Sequence, residues 1–401
     1  MGKKINKTVF VGVSGGVDSS VSAALLKEQG YNVVGVFIRT WTPEFIECTW
    51  KDERRDAMRV CAHLDIPFLE CDAEEAYKKG VADYMIEEYK KGNTPNPDVM
   101  CNREVKFGVF WQFAKAHGAD YIATGHYAIN DTAPLTGAVH LLDSLDTKKS
   151  QKVLRKLQVF ASSPPSVASQ GLSVLRKSPD SSKDQSYFLW TLTQDDLAHT
   201  LFPVGHLQKT EVRKLAEKYK LPVATKKDSQ GVCFLGPLDM KDFLKHYIKT
   251  KKGDVLLALR EGGDKKGNII GEHDGAIFFT LGERHGFTIF KNEDDSKPLY
   301  VVSKDIEKNT ITVSPRSDLG EKKDKLHRTV LCSNANWILG MPEKDKTYKA
   351  QIRYHGELLD CKVGVTGLTC EITFDKNVLV DKGQSVVIYD GDICLGGAIV
   401  G

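Results

Sequence analysis

Two stretches of this 401-residue chain carry residue types that do chemistry. In the first, the apolar run Val9-Phe10-Val11-Gly12-Val13 breaks into Ser14-Gly15-Gly16-Val17-Asp18-Ser19-Ser20 and then into a helical pattern. A buried strand that ends in a two-glycine loop folds tightly enough for consecutive N–H groups and the next helix N-terminus to face one anion. The hydroxyls of Ser14, Ser19 and Ser20 add donors. No Gly-Lys-Ser/Thr follows, so the lysine that reaches the β- and γ-phosphates in a P-loop is missing. The loop therefore suits a departing pyrophosphate better than a transferred γ-phosphoryl group. A glycine-rich turn with capping serines and no ligand is the plainer alternative. The second stretch is Gly92-Asn-Thr-Pro-Asn-Pro-Asp-Val-Met-Cys-Asn-Arg-Glu-Val-Lys-Phe107. Its two prolines fix an extended loop ahead of a helix, so Asp98 and Cys101 are expected on a stiff surface near that helix's N-terminus. Such a location, with Arg103 and Lys106 nearby, favours thiolate over thiol relative to a free pKa of about 8.5. Cys101 is then a candidate nucleophile, although the segment alone leaves open that it is one more ordinary cysteine.

These side chains need a scaffold. Over the first 130 residues apolar strand runs alternate with helical patterns, which predicts an α/β doubly wound parallel sheet with strands at 7–13, 32–38, 66–71 and 120–124. The helix from Ser19 sets Val21, Ala24 and Leu25 on one face and ends at Gly30, a natural residue to follow a helix. A later helix carries Phe107, Phe110, Phe113, Ala114 and His117 up to Gly118, a stripe that reads as core rather than as a platform for stacked bases. Residues 140–182 lose all period. Ten serines between 142 and 182, with Pro164-Pro165, predict a flexible or disordered insertion. A helix over Thr210 to Tyr219 precedes Pro222. Beyond Gly253, short alternating runs punctuated at Gly262-Gly263-Asp264, Lys266-Gly-Asn268, Asn309-Thr310 and Asp390-Gly391 predict small antiparallel domains, the last a β-barrel. The expected division is a catalytic domain over 1–230, a small central domain over 231–303 and a barrel over 304–401.

Composition bounds the rest. With 56 Lys+Arg against 53 Asp+Glu, the formal charge is only +3, so any nucleic-acid surface must be a local patch. No apolar run approaches the roughly 20 residues of a membrane span, and Met-Gly-Lys-Lys-Ile-Asn-Lys leads into the first strand without a signal-peptide core. A cytoplasmic location away from membranes is expected. Nine cysteines (48, 61, 71, 101, 233, 332, 361, 370 and 394) make an odd count, and no two are spaced as CxxC, which argues against a disulfide framework or a zinc ribbon. Cys61, Cys332, Cys361 and Cys394 lie among apolar neighbours and read as buried core.

Ser-Gly-Gly-Val-Asp-Ser resembles the PP-loop of ATP pyrophosphatases, which cleave ATP between the α- and β-phosphates and adenylate a substrate oxygen. Further ordered motifs sharpen the likeness: Thr94-Pro-Asn-Pro-Asp98, Cys101-Asn102, Ala123-Thr-Gly-His-Tyr127, Lys183-Asp-Gln-Ser-Tyr-Phe-Leu189, Leu201-Phe-Pro-Val-Gly205 and Asp228 to Gly236. Leu281-Gly-Glu-Arg284, Tyr300-Val-Val302, Arg353-Tyr354 and Gly383-Gln384 extend it to the C-terminal part. Along nearly the whole chain this order is similar to the bacterial tRNA-specific 2-thiouridylase family. The resemblance implies that Gly12, Val13, Ser14, Gly15, Gly16, Val17, Asp18 and Ser19 hold ATP with its Mg²⁺, and that the backbone around Ile38 and Gly125 brackets the adenosine at the carboxyl ends of the strands. It implies attack of the C2 oxygen of the wobble uridine on the α-phosphate, after which sulfur displaces AMP at C2. Cys233 matches the family's persulfide-carrying cysteine and Cys101 its partner. Asp98 is placed to handle a proton on the target base, or else it serves an Asx-type turn at the proline loop. Base flipping is implied, with Asn96, Pro97 and Asp98 meeting the flipped uracil. His126, Lys183, Asp184, Gln185, Arg353, Tyr354 and Gln384 match family tRNA contacts.

Two departures stand out. The 140–182 insertion lengthens the approach to Lys183, and Ile38 replaces the family's usual methionine at a main-chain contact. Two sulfur chemistries fit the resemblance. In a relay, the Cys233 persulfide either attacks C2 directly or yields hydrosulfide as Cys101 closes a disulfide with Cys233. In the rival, Asp98, Cys101 and Cys233 ligate an iron–sulfur cluster; the absence of CxxC and the rarity of a carboxylate ligand favour the relay, with no resident metal site. Expected partners are tRNA and a persulfide-donating sulfur-carrier protein or cysteine desulfurase, with the chain itself monomeric. Other functions compatible with the loop are an adenylating ligase with a nitrogen nucleophile and an RNA-binding protein with a relict nucleotide site.

Overall fold

The computed structural model describes residues 5–46, 50–132, 172–228, 239–258, 268–290, 298–315 and 327–401. Its first sheet joins β1 (Thr8–Gly12), β2 (Asn32–Arg39), β3 (Phe68–Asp72), β4 (Tyr121–Ala123) and β7 (Thr200–Leu201) in the order β3-β2-β1-β4-β7. Every pairing in it is parallel, so both faces must be covered. The alternation of β1 does this. Val9 and Val11 pack with α1 (Val17–Glu28), α2 (Trp50–His63) and a later helix over Lys209–Lys218. Phe10 faces the opposite cluster, which holds Ile38, Tyr77, Val99, Cys101, Phe107 and Phe110. The strand order reverses direction at β1 and β4, so a crevice opens at the carboxyl ends of those two strands.

The opposite face is built by short helices. α3 (Glu74–Tyr77) runs through a π-helical stretch at Lys78–Asp83 into α4 (Tyr84–Lys90). α5 (Pro97–Cys101) runs through a second, Asn102–Val109, into α6 (Phe110–Ala116). Phe107, Phe110 and Ala114 are buried as the stripe requires, and Gly118 ends the run at φ +82°.

A second sheet has the order β10-β9-β8-β12-β11, from β8 (Gly253–Leu257), β9 (Ile269–His273), β10 (Phe287–Ile289), β11 (Leu299–Asp305) and β12 (Thr310–Pro315). Antiparallel pairing was expected throughout, but β8 and β12 pair in parallel because the last strand of the sheet returns beside the first. Asn309 fixes that register, its Nδ2 donating to the Lys251 and Lys252 carbonyls at 2.9 Å each. β11 runs across the division expected near 303, and the other expected division, after 230, lies outside the described residues.

The third sheet is a closed antiparallel barrel. β13 (His327–Trp337), β16 (Thr369–Val378), β15 (Leu358–Thr366), β14 (Tyr348–Gln351), β17 (Ser385–Asp390) and β18 (Ile393–Val400) follow one another, and β13 pairs back onto β18. Closure removes free edges. The hairpin of β5 (Ala128–Thr132) and β6 (Ser173–Lys177), from the N-terminal half, adds to β18. Arg176 bridges Asp131 at 3.0 Å and Asp392 at 2.6 Å across that junction.

β6 corrects the expected insertion. Ser173–Lys177 is strand with Leu175 fully buried, and Ser178 and Ser182 satisfy their hydroxyls on the Gly205 carbonyl at 2.8 Å and Asp180 Oδ1 at 2.6 Å. Serine richness signals disorder only where hydroxyls find no partner, and here they do. Residues 140–171 lie outside the described residues. Cys61, Cys71, Cys101, Cys332, Cys361, Cys370 and Cys394 are all buried, and none of these seven is in a disulfide. No helix among the described residues is long and apolar enough to cross a membrane.

Phe110 is fully buried where α6 meets the sheet, and a Cβ on Gly12 would lie 3.6 Å from its ring. Phe110→Ala should lower unfolding stability by about 3–5 kcal/mol, read as the shift of the urea midpoint of the first sheet's unfolding.

Candidate functional site

The crevice is floored by the loop after β1. Gly15 holds φ +72°, and a Cβ there would stand 2.5 Å from the Glu53 carbonyl oxygen, so this tight turn admits only glycine. Ser14 lies over the start of α1, its backbone N–H and its Oγ each 3.3 Å from Ser19 Oγ. Ser20 Oγ turns inward and donates to the Gly16 carbonyl at 2.6 Å. Gly125, after β4, closes the other wall: a Cβ there would come within 2.7 Å of the Ser19 nitrogen. The bare backbone of residues 12–19 and 125 thus forms a cradle of N–H groups at a helix N-terminus.

Cations that the loop itself lacks arrive from far along the chain. Lys209 Nζ donates to both oxygens of Asp18, at 2.7 and 2.8 Å, and lies 2.9 Å from Asp228 Oδ1. Lys183 Nζ is 2.8 Å from Asp228 Oδ2, and Arg213 Nη2 donates to Asp228 Oδ1 at 2.5 Å. Lys226 joins Asp56 at 2.8 Å and the Gly15 carbonyl at 3.1 Å. Tyr127 OH donates to Asp18 Oδ1 at 2.7 Å. Burial alone raises the Asp228 carboxyl, but hydrogen bonds and charge from Lys183 and Lys209 outweigh it and hold the group at about 2. Lys183, matched to tRNA by the resemblance, is thus placed beside the nucleotide cradle. Lys209, Arg213 and Tyr127 escaped the sequence reading. One signal was available: Lys209 opens a helix, Lys209–Lys218, where the macrodipole disfavours a cation, so a tertiary anion had to face it.

The proline loop forms the second part. Asn96 caps α5, its Oδ1 accepting from the Asp98 and Val99 N–H groups at 3.2 and 3.3 Å, with Pro97 in the first turn. Asn96, rather than Asp98, therefore supplies the cap. Asp98 is half-buried, whereas Cys101 is 1 % exposed inside the apolar cluster, not on the surface where it was expected. The helix turns that residue inward one turn after the cap. A π-helical stretch begins immediately after it, a local irregularity that often marks functional positions. Cys233 lies outside the described residues.

The remaining residues matched to tRNA divide into two groups. Tyr354, at the barrel's near end, is partly exposed, packs on Phe188 with ring centres 4.4 Å apart, and feels the charges of Asp184 and Asp98. Tyr187 OH donates to the Ser385 carbonyl at 3.0 Å. Arg353 is turned inward, donating to the Leu281 and Leu379 carbonyls. His126 is buried against Phe107 and Phe202 with Nδ1 2.7 Å from Thr124 Oγ1; burial, then the Lys106 charge, pushes its pKa well below the ordinary value and leaves it neutral. Asp184 accepts from the Ser178 N–H at 2.9 Å, Gln185 from the Tyr127 N–H at 3.0 Å, and Gln384 from the Asp381 N–H at 2.9 Å. Ile38 lines the cradle's floor, its Cδ1 3.5 Å from where a Cβ on Gly12 would sit.

Family models match the chain end to end: a tRNA methyl transferase HUP domain over 7–159 and 160–237, a tRNA methyl transferase PRC-barrel domain over 241–315, and an aminomethyltransferase beta-barrel domain over 327–400. The tRNA-specific 2-thiouridylase MnmA of Lacticaseibacillus paracasei is 39 % identical over 98 % of this chain and 94 % of its own. That of Bacillus subtilis is 38 % identical over the same shares. Among solved structures, the U34-tRNA thiolase NcsA from Methanococcus maripaludis with its [4Fe-4S] cluster aligns at TM-score 0.32 and 19 % identity, over 61 % of this chain and 65 % of its own. A 4-thiouridine synthetase–RNA complex with bound ATP aligns at TM-score 0.32 and 15 % identity, over 60 % and 50 %.

The charge network makes a pH prediction. The Asp228 carboxyl sits at about 2 against an ordinary 3.8, so it contributes stability at every pH above about 4 and loses that contribution as pH falls through about 2. An NMR titration of Asp228 should give the low value in the wild type and a higher one in Lys209→Met.

Proposed function

Because the chain belongs to the tRNA-specific 2-thiouridylase family, and is thereby an ATP-dependent tRNA sulfurtransferase, we propose that its cradle, its α5 turn and Cys233 divide one reaction among them. The observation that carries this reading is identity of 39 % over 98 % of the chain to an enzyme of that name. The cradle suits the triphosphate: the glycine turn sets the Ser14 and Ser19 hydroxyls together at the start of α1, beside the backbone of Gly125, where a Cβ would stand 2.7 Å from the Ser19 nitrogen. Lys209 and Lys183 supply positive charge for the pyrophosphate as it departs, the role a P-loop lysine fills elsewhere. Asp18 is the carboxylate suited to Mg²⁺, which neutralises phosphate charge when bound.

The wobble uridine enters flipped, with Asn96, Pro97 and Asp98 against its edge and Tyr354 available for stacking. Its C2 oxygen attacks the α-phosphorus and pyrophosphate leaves, which turns a poor electrophile into an adenylate. The terminal sulfur of a Cys233 persulfide adds to C2 and AMP departs with the C–O bond electrons. The Cys101 thiolate then attacks Cys233 Sγ, closes a disulfide and releases 2-thiouridine; a dithiol reductant returns both cysteines to thiols. A sulfur-carrier protein or cysteine desulfurase reloads the persulfide, and the cytoplasm is the compartment where ATP, tRNA and reduced thiols meet.

Nucleoside mass spectrometry of tRNA incubated with protein, ATP and a persulfide donor should show 2-thiouridine, with one pyrophosphate released per base. Asp18→Ala should abolish both products while the protein stays folded, and Cys101→Ser, purified anaerobically and free of iron, should stall with tRNA held to Cys233 through a disulfide that a dithiol reductant cleaves. Activity that requires reconstitution with iron and sulfide would replace the relay by a cluster.

A further inference from the structure

One carboxylate oxygen of the barrel's segment collects donors from the segments of the other two sheets. Asp381 follows β16 in the barrel, and its Oδ2 accepts from Thr94 Oγ1 at 2.8 Å and the Leu281 N–H at 3.3 Å, with Lys304 Nζ at 2.7 Å. Thr94 lies in the proline loop, while Leu281 and Lys304 belong to the central sheet's segment. Lys304, on β11, also donates to the Phe279 carbonyl at 3.0 Å and reaches Thr94 Oγ1 at 3.4 Å. The Lys304 and Asp381 side chains are only 8 % and 5 % exposed. Main chain reinforces the junction. The Thr94 N–H donates to the Lys382 carbonyl at 2.6 Å, and a Cβ on Gly383, at φ +85°, would come within 3.0 Å of the Thr94 nitrogen. Asp381 is itself held, its Oδ1 accepting from the Lys382 N–H at 3.0 Å.

What this junction fixes is the start of α5. Thr94 stands two residues before Asn96, the cap of the helix that bears Asp98 and Cys101. Pro95 and Pro97 leave the intervening backbone little freedom, so the position of Thr94 is passed on to the cap. A buried ion pair is a weak source of net stability, because desolvation offsets attraction; what it enforces is one arrangement over others. We propose that Asp381 and Lys304 are positioning residues that hold Thr94 between the central sheet and the barrel, and thereby set where Asp98 and Cys101 stand against the target base. The role of α5 rests on the sulfurtransferase reading above, whereas the lock on Thr94 does not. The barrel and central sheet thus act on the start of α5 through Thr94.

Two variants test this without leaving a lone buried ion: Thr94→Val, which removes a hydroxyl, and Lys304→Met combined with Asp381→Asn, which neutralises the pair together. Thr94→Ser, which keeps the hydroxyl, is the conservative control. Single-turnover thiolation at saturating ATP and tRNA should fall by about tenfold to a hundredfold in both variants, while affinities for ATP and tRNA change by less than about threefold. Thr94→Ser should recover most of the rate. Amide exchange at residues 98–101 should quicken in the slow variants alone, with melting temperature little changed. Wild-type rates and exchange in Thr94→Val and the double variant overturn the proposal, as does a loss that Thr94→Ser fails to recover. If the wild-type chain does not thiolate tRNA, the sulfurtransferase reading falls, and the exchange measurement by itself still decides the lock.

Discussion

The Asp381–Lys304 pair is the interaction on which the rest of the arrangement depends, because it is where the three sheets meet with their charges buried. Each sheet segment has its own apolar cluster and gains its stability there. Apolar packing also crosses between them, with Val387, Tyr389 and Cys394 of the barrel in a cluster of the first sheet and Phe243 and Phe278 packed with Met85, Ile86 and Tyr89 of α4. Such contact is non-directional, whereas Asp381 bonds directionally to Thr94, Leu281 and Lys304 at once. Removing one partner of such a pair leaves an uncompensated buried charge, typically at about 3–5 kcal/mol. The barrel's second attachment is of another kind: Asn336 donates to the Trp190 and Leu192 carbonyls at 2.8 and 2.9 Å, and Tyr187 OH to the Ser385 carbonyl at 3.0 Å. Between these anchors, Tyr354 and the Asn96 cap are brought to one place.

The nucleotide cradle solves a separate electrostatic problem. The loop after β1 has no lysine of its own, and the fold brings Lys183, Lys209, Arg213 and Lys226 to its rim from a stretch beginning some 160 residues later in the sequence. These cations are held by Asp18, Asp56 and Asp228. The carboxylates keep the cluster from repelling itself and so hold the cations where a phosphate will need them. Asp228 opens the stretch Asp228 to Gly236 that contains Cys233.

The strands β1 to β4 of the first sheet, α1 with its glycine stop, the buried Phe107, Phe110 and Ala114, and the tight glycine turn after β1 were legible in the sequence, although His117 of the same stripe is exposed. Each follows from spacing within about 15 residues, where backbone geometry alone links pattern to structure. The proline loop was legible as a stiff helix start for the same reason. What local pattern could not give was exposure. Cys101 reads as a surface residue at a helix start and is buried, because the sheet and α6 cover that face of the turn. Ser173 to Ser182 read as disordered, yet their hydroxyls find partners on Gly205 and on Asp180.

The sequence by itself determined the chemistry on offer: a phosphate cradle without a lysine, a capped turn bearing a carboxylate and a thiol, and motifs whose order marks one family. These are properties of residue identity and short-range geometry. Only the tertiary structure decided which charges serve that chemistry. Lys209 meets Asp18 across 191 positions, and Thr94 meets Asp381 across 287. No periodicity records such pairs, because a charge–charge contact leaves its trace in space and not in spacing along the chain.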